Sequence, residues 1–348
     1  HIAAGHAAST RFGEHLWLDI RLLGREHIET KLREVKEICQ YFLGVDPAEE
    51  LVPVRPAQHY SMGGIRTDHR GESPRLKGLF AVGEAACWDM HGFNRLGGNS
   101  VAETVVAGML VGEFMADFCD DQDTHASISS ALFADASSDA ERRLEDIASV
   151  TGDENEFAVI ADMQRVMTQK VGIFRDGPDL EAAVQSLEDI YRRSLRIRLS
   201  SQARGANPEL DAAYRAQMMV KLALCVATGA LRRTESRGAH FRRDYPQRND
   251  RDWLTRTLAS WPGDDASSPE LRYEALDVQR MELPPGWRGY GERNHIEHPA
   301  VAERTAEVER VSGLVKDRYA LQETLMPYDD LLPARYRGRN ERLDRGYS

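Results

Sequence analysis

The sequence predicts a fold of class α/β plus α: an α/β segment followed by an α-helical bundle. Three observations carry this expectation. "LFAVGEAA" reads as a short buried strand and tight turn, running into the glycine-rich loop "HGFNRLGGNS" and the helix-like stretch "VAETVVAGMLVG". After "DDQDTH" the pattern turns helical and stays so from about 127 to 235. Finally, 348 residues are too many for one ordinary domain and suggest two or three.

The elements follow in order. Residues 14 to 24, "EHLWLDIRLLG", read as a strand and turn. "REHIETKLREVKEICQYFLG" places Ile28, Leu32, Val35, Ile38 and Phe42 at helical spacing and ends at Gly44. "VDPAEELVPVRPAQ" holds three prolines and runs extended. A helix is expected from about 100 to 119. The bundle has Leu144, Ile147, Val159, Ile160, Met163, Val166, Met167 and Ile173 as candidate core positions, with breaks at "RDGPDL" and "RGANPEL". Beyond 236 the chain is rich in Arg, Pro, Gly and Trp, and only "AVAERTAEVERVSGLVKDRYALQETLM" reads as a long helix.

Composition narrows the function classes. A net charge of −11 provides no overall basic field for nucleic acid or anionic lipid. The cationic stretch "RRTESRGAHFRRDYPQR" is the local exception, and charge runs of this kind are usually solvated surface. Cys39, Cys87, Cys119 and Cys225 form no CxxC pair and no zinc-like cluster, so they read as free thiols. No apolar run approaches the roughly 18 residues of a membrane span, and the most apolar helix carries Glu103 and Glu113. The chain opens "HIAAGHAAST", without methionine or signal peptide, and is expected to be part of a longer polypeptide.

The loop 91–100 admits three readings. Ser100 and Glu103 fit a capping box, which would make the loop a plain helix start. That reading leaves Arg95 and the adjacent Gly97 and Gly98 without a purpose. Two glycines let backbone approach a ligand closely. A phosphate cradle is the second reading, but neither a Lys-Ser/Thr nor a GxGxxG pattern is present there. The third reading is an anion gripped between Arg95, His59 and a helix N-terminus, where a bidentate donor and free N–H groups meet negative charge. Around His59, Tyr60, Met62, Gly63 and Gly64 form a segment on which a flat ring could lie. Lone histidines such as His59 and His91 are more often structural. Glu84 either ends a nucleotide-binding strand or caps the turn after it.

The blocks "HYSMGGIRTD…LKGLFAVGEAACWDMHGFNRLGGNSVAETVVAGMLVGE", "VGIFRDGPDLEAAVQSLEDIY", "RTESRGAHFRRDYPQRND" and "EALDVQRMELPPGWRGYG" together closely resemble the flavoprotein subunit of quinol:fumarate reductases and succinate dehydrogenases. The likeness runs from about residue 14 to near the end, and its wording is nearest to complexes whose membrane anchor carries two haems. L-aspartate oxidase shares the fold and much of the loop, and a truncated, catalytically incompetent fragment is the third possibility.

The resemblance implies the C-terminal part of a Rossmann-like FAD-binding flavoprotein. Residues 1–56 would end the capping domain, 57–120 would be the last FAD-domain segment, 121–250 a helical domain and 251–348 a C-terminal domain. His59 and Arg95 match the residues that bind the substrate's carboxylates. His59, Tyr60, Glu84, Arg95, Leu96, Gly97, Gly98, Asn99, Ser100 and Val101 match the FAD site, with the helix from Ser100 aimed at the flavin. Fumarate and succinate would be interconverted by hydride transfer, with electrons exchanged with quinone through an iron–sulfur subunit and a membrane-anchor cytochrome b, at the cytoplasmic face of the bacterial inner membrane. No metal ligand is implied within the chain. The family's flavin-linking histidine and proton-donating arginine are expected upstream, and Arg11 does not fall on the arginine motif. Without the missing nucleotide-binding sheet, an apolar face is expected to stand exposed. Arg237 and His240 would lie near the flavin, face the iron–sulfur partner, or serve a structural network.

Overall fold

The computed structural model describes residues 2, 4–121, 129–201, 205–263, 266–276, 295–296, 306, 333 and 335. The long helix expected in 300–326 therefore lies almost wholly outside the described residues. The chain divides into two compact units, His1–Ser61 and Met62–Ser348.

The first unit is a three-stranded antiparallel sheet with helical turns. Strands β1 (Ala8–Thr10), β2 (Gly13–Leu18) and β3 (Val52–Val54) pair in that order, with Ser9 opposite Glu14 and Leu16 opposite Val54. The helix expected from 25 to 44 is divided. It runs as α1 (Arg25–Lys31), breaks at Leu32 (φ −123°), resumes as α2 (Arg33–Ile38) and widens into a π turn over Cys39–Leu43. Gly44 ends it at φ 66°, the left-handed conformation a helix terminus favours. Of the expected apolar stripe only Ile28 is fully buried, and Phe42 is 81% exposed. The break at Leu32 shifts the helical phase, so the residues beyond it no longer share one face with Ile28.

In the second unit the strand expected at "LFAVG" is reduced to one bridge, Phe80 to Glu72. Gly83 at φ 67° turns the backbone into a 3-10 turn, Gly83–Ala85, which ends any extended run. One short strand precedes this turn and one follows it: β4 (Ile65–Arg66) pairs in parallel with β5 (Ala86–Cys87). Helix α3 (Asn99–Asp120) comes next, close to the expected span.

Helices α4 (Ser130–Ala148), α5 (Glu156–Lys170), α6 (Gly177–Ser194) and α7 (Pro208–Arg232) form the expected bundle. Their starts are written in side chains. Asn155 accepts from the N–H groups of Phe157 and Ala158, Asp176 from Asp179, and Asn207 from Glu209 and Leu210. Proline stands in the first turn of α6 and α7, where its missing N–H costs nothing. Along α7, Ala213, Ala216, Val220, Ala223, Ala227 and Ala230 form a buried stripe of mostly small residues. That stripe lets α6 pack closely through Leu180, Ala183 and Leu187, all fully buried, with α5 contributing Val159 and Met163. Each fully buried Leu or Val stabilises by about 1.5–3 kcal/mol. Two expected core residues, Leu144 and Ile173, are exposed instead. Leu144 sits on α4, which touches α7 but leaves most of its surface to solvent, and Ile173 lies in the loop after α5.

Short strands β6 (Phe174–Arg175) and β7 (Phe241–Arg242) pair in parallel, as do β8 (Arg248–Asn249) and β11 (His295–Ile296). Strands β9 (Thr255–Ser260) and β10 (Glu270–Ala275) form an antiparallel pair beside the end of α7.

Candidate dicarboxylate and flavin site

The expected site residues divide between the two units. His59 is exposed and Tyr60 half-buried in an irregular segment at the end of the first unit. Glu84, Arg95, Leu96, Gly97, Gly98, Asn99, Ser100 and Val101 belong to the second. Within the second unit the pieces come together locally. Gly64, at φ 141°, lies so close to the 3-10 turn that a Cβ there would sit 2.4 Å from the Ala85 carbonyl oxygen. The segment after the glycine pair is thus pressed onto the turn carrying Glu84, which is exposed.

The capping box does not form. Gly98, at φ 82°, is the N-cap of α3 and has no side chain with which to cap it. Ser100 therefore lies inside the first turn, where its carbonyl accepts the Thr104 hydroxyl at 2.8 Å. Glu103 is turned inward and fully buried, accepting from Trp88 Nε1 at 2.8 Å and bonding His91 Nε2 at 2.7 Å. The carboxylate expected to cap the helix instead staples residues 88–91 of the loop to it.

Around Gly97 and Gly98 there is open space: a Cβ at either would meet nothing within 4 Å. Leu96 is exposed beside them. Arg95 is half-buried, and its Nη1 donates to the Leu96 carbonyl at 3.2 Å. This combination fits a flat ring with an electron-rich edge. The helix starts at a glycine N-cap, its partial positive charge favours an anion, and the glycines leave backbone accessible. Along α3 an apolar face stands open, with Val101 70%, Val106 56% and Met109 58% exposed. Among the described residues no helix is long and apolar enough to cross a membrane.

Behind the loop lies the cationic stretch, in which Arg233, Arg242 and Arg248 are buried while Arg232 and Arg243 are exposed. Phe93 carries the Arg233 guanidinium over its ring at 4.7 Å, and its carbonyl accepts from Ala239 N–H at 2.9 Å. Gly238, at φ 55°, touches the same residue: a Cβ there would lie 2.9 Å from the Phe93 carbonyl. Arg237 is held by Glu235 at 2.8 and 2.9 Å and by Asp250 at 2.7 Å. Arg242 pairs with Asp244 and donates to the carbonyls of Ala230, Leu231 and Arg233 at the end of α7. Buried charges at this density are tolerated only when each is paired and hydrogen-bonded. Arg237 and His240 are both held within this network. His240 is buried, and desolvation together with the neighbouring Arg175 charge lowers its pKa to about 4.

Sequence reasoning missed the roles of Glu103, Phe93 and Gly238. Two signals were legible in principle: an acid placed in an otherwise apolar helix face, and a glycine within a charge-dense stretch.

Residues 1–101 match a family model described as FAD binding domain, and residues 160–290 one described as Fumarate reductase flavoprotein C-term. The fumarate reductase flavoprotein subunit of Helicobacter pylori is 43% identical over 376 aligned positions, covering 99% of this chain and 52% of that protein. The corresponding subunit of Mycobacterium tuberculosis is 39% identical over 289 positions, covering 82% and 49%. Among solved structures, an Escherichia coli quinol fumarate reductase flavoprotein superposes with a TM-score of 0.74 at 34% identity, covering 84% of this chain and 49% of that one. The chain spans about half the length of the curated relatives it matches. Two family models in sequence order, the first of them taking in the loop 91–100, lead together with these relatives to one conclusion: the chain belongs to the fumarate reductase flavoprotein family.

Proposed function

We propose that this chain forms part of the flavoprotein subunit of a fumarate reductase or succinate dehydrogenase, interconverting fumarate and succinate. The observation that carries the reading is the glycine-capped start of α3, with Gly97 and Gly98 standing in open space shortly after Arg95. When bound, FAD supplies the hydride transfer. The residues of this chain supply grip and charge. Arg95 and His59 each offer charge-assisted donors to a carboxylate of a flat dicarboxylate substrate. The start of α3 stabilises negative charge on the ring beside it, and Gly97 and Gly98 let that ring approach the backbone. Tyr60 in the first unit, and Glu84 and Leu96 through Val101 in the second, are the remaining cofactor contacts of this reading. The partners that fit are an iron–sulfur subunit and a membrane-anchor cytochrome b with quinone, with the subunit peripheral on the cytoplasmic face of the bacterial inner membrane.

The test is dye reduction by the protein expressed from its complete reading frame and purified with FAD. Succinate-dependent reduction is expected. Reduction driven by L-aspartate and not by succinate would replace this reading with an aspartate oxidase.

A further inference from the structure

Among the described residues, Asp89 is the one non-glycine with a left-handed backbone, at φ 72°. It begins the run of turns that leads to Arg95, and its carbonyl accepts from Gly92 N–H at 3.2 Å. Asp tolerates this region better than most residues, yet it remains above the extended alternative unless something holds it. The holding group is distant in sequence. Arg256 of β9 donates from Nε to both Asp89 oxygens, at 2.7 and 2.6 Å, and its guanidinium is largely buried. Arg256 Nη1 also meets Glu274 of β10 at 2.5 Å, and Glu274 accepts from Arg66 at 3.3 Å. The charges run Asp89–Arg256–Glu274–Arg66. They join the loop carrying Arg95 to the strand that follows Gly63 and Gly64. The hairpin between them supplies none of the residues expected at the site.

We propose that Arg256 is a positioning residue for the anion site: by holding Asp89 in its left-handed conformation, it fixes the loop 89–98 and so the place at which Arg95 is presented. The inference rests on the reading of that loop as a dicarboxylate site. Glu103 holds the same turn from the helix side through Trp88 and His91, and Ala239 holds Phe93, so Arg256 is a third anchor of the loop and the one that acts on its left-handed residue. A hairpin merely docked on the unit would contribute stability without directing Arg95.

The test uses the FAD-loaded protein from its complete reading frame, with malonate as a dicarboxylate probe read through the flavin absorbance spectrum. Amide hydrogen exchange of residues 88–98 is measured alongside. Arg256→Met is expected to weaken malonate binding on the order of tenfold and to speed exchange in 88–98, leaving exchange in α6 and α7 unchanged. Glycine adopts φ 72° without an ion pair. In an Asp89→Gly background, Arg256→Met is therefore expected to add little further loss. The same fold-loss in both backgrounds, or unchanged exchange in 88–98, overturns the proposal. If Arg256→Met does not fold, Arg256→Lys, which keeps the charge and one bond to Asp89, gives the same pattern in smaller measure. Faster exchange in 88–98 in a protein whose parent form ignores malonate would support the positioning of the loop and remove the dicarboxylate reading instead.

Discussion

Arg175 donates to Nδ1 of His240 at 2.8 Å, and Nε2 of the same ring donates to the Arg233 carbonyl at 3.2 Å. The two contacts require one neutral tautomer, because Nδ1 must accept and Nε2 must carry the proton. Burial and the adjacent Arg175 charge oppose a second proton, which is why the pKa falls from 6.5 to about 4. In the unfolded chain the ring would bind that proton near pH 6.5. Between pH 6.5 and 4 the unfolded state thus holds more protons, and stability falls as pH falls through that window. The full contribution is about 3 kcal/mol above pH 6.5. Thermal melts across this range are expected to show Tm dropping toward pH 4, with the slope flattened in His240→Gln. An unchanged slope in that variant would count against this account.

Glu103→Ala removes the acceptor shared by Trp88 and His91. It leaves buried donors unpaired at the base of the loop, at an expected cost of about 2–3 kcal/mol in urea unfolding. Glu103→Gln keeps one acceptor and is expected to lose less. Trp88 fluorescence reports the local change directly, and an alanine variant with parental stability and spectrum would refute the staple.

Arg95→Lys tests the anion site. Lysine keeps the charge but loses the planar fork, so dicarboxylate affinity is expected to fall by about tenfold to a hundredfold. Flavin content should stay near its parental value if the glycines and helix start hold the ring without it. Equal affinity in the lysine variant would leave Arg95 without the role proposed here.

Gly238→Ala drives a methyl group toward the Phe93 backbone, 2.9 Å from its carbonyl, at a φ of 55° that alanine resists. The expected result is a loss of about 1–3 kcal/mol together with faster hydrogen exchange in 91–98. Gly97→Ala, with nothing within 4 Å, is expected to leave stability nearly unchanged and to affect only flavin binding.

Much of the bundle was legible because its instructions are local. "RDGPDL" and "RGANPEL" place an Asp or Asn cap directly before a proline-bearing first turn, and α6 and α7 begin there. The buried positions of α5 followed its period. Leu144 is exposed because burial depends on what lies opposite α4, and Ile173 because α5 ends before reaching it. Within the site, Arg95 and the glycine pair were legible from residue type. The Ser100–Glu103 box failed for a backbone reason: the left-handed Gly98 starts the helix two residues before Ser100, out of capping register. The Asp89–Arg256 pair spans 167 positions and leaves no local pattern to read.

The guanidiniums behind the loop also tie the ends of two helices. Arg175 Nε donates to the carbonyls of Val171 and Gly172 just past α5, while Arg242 closes the last turn of α7. Both arginines lean on the region around His240 and the Arg233 carbonyl. Neither helix end can fray alone without stripping partners from the other, so α5 and α7 should open as a single cooperative block. The loop, hung on the same centre through Phe93, inherits the rigidity of a bundle to which it does not belong.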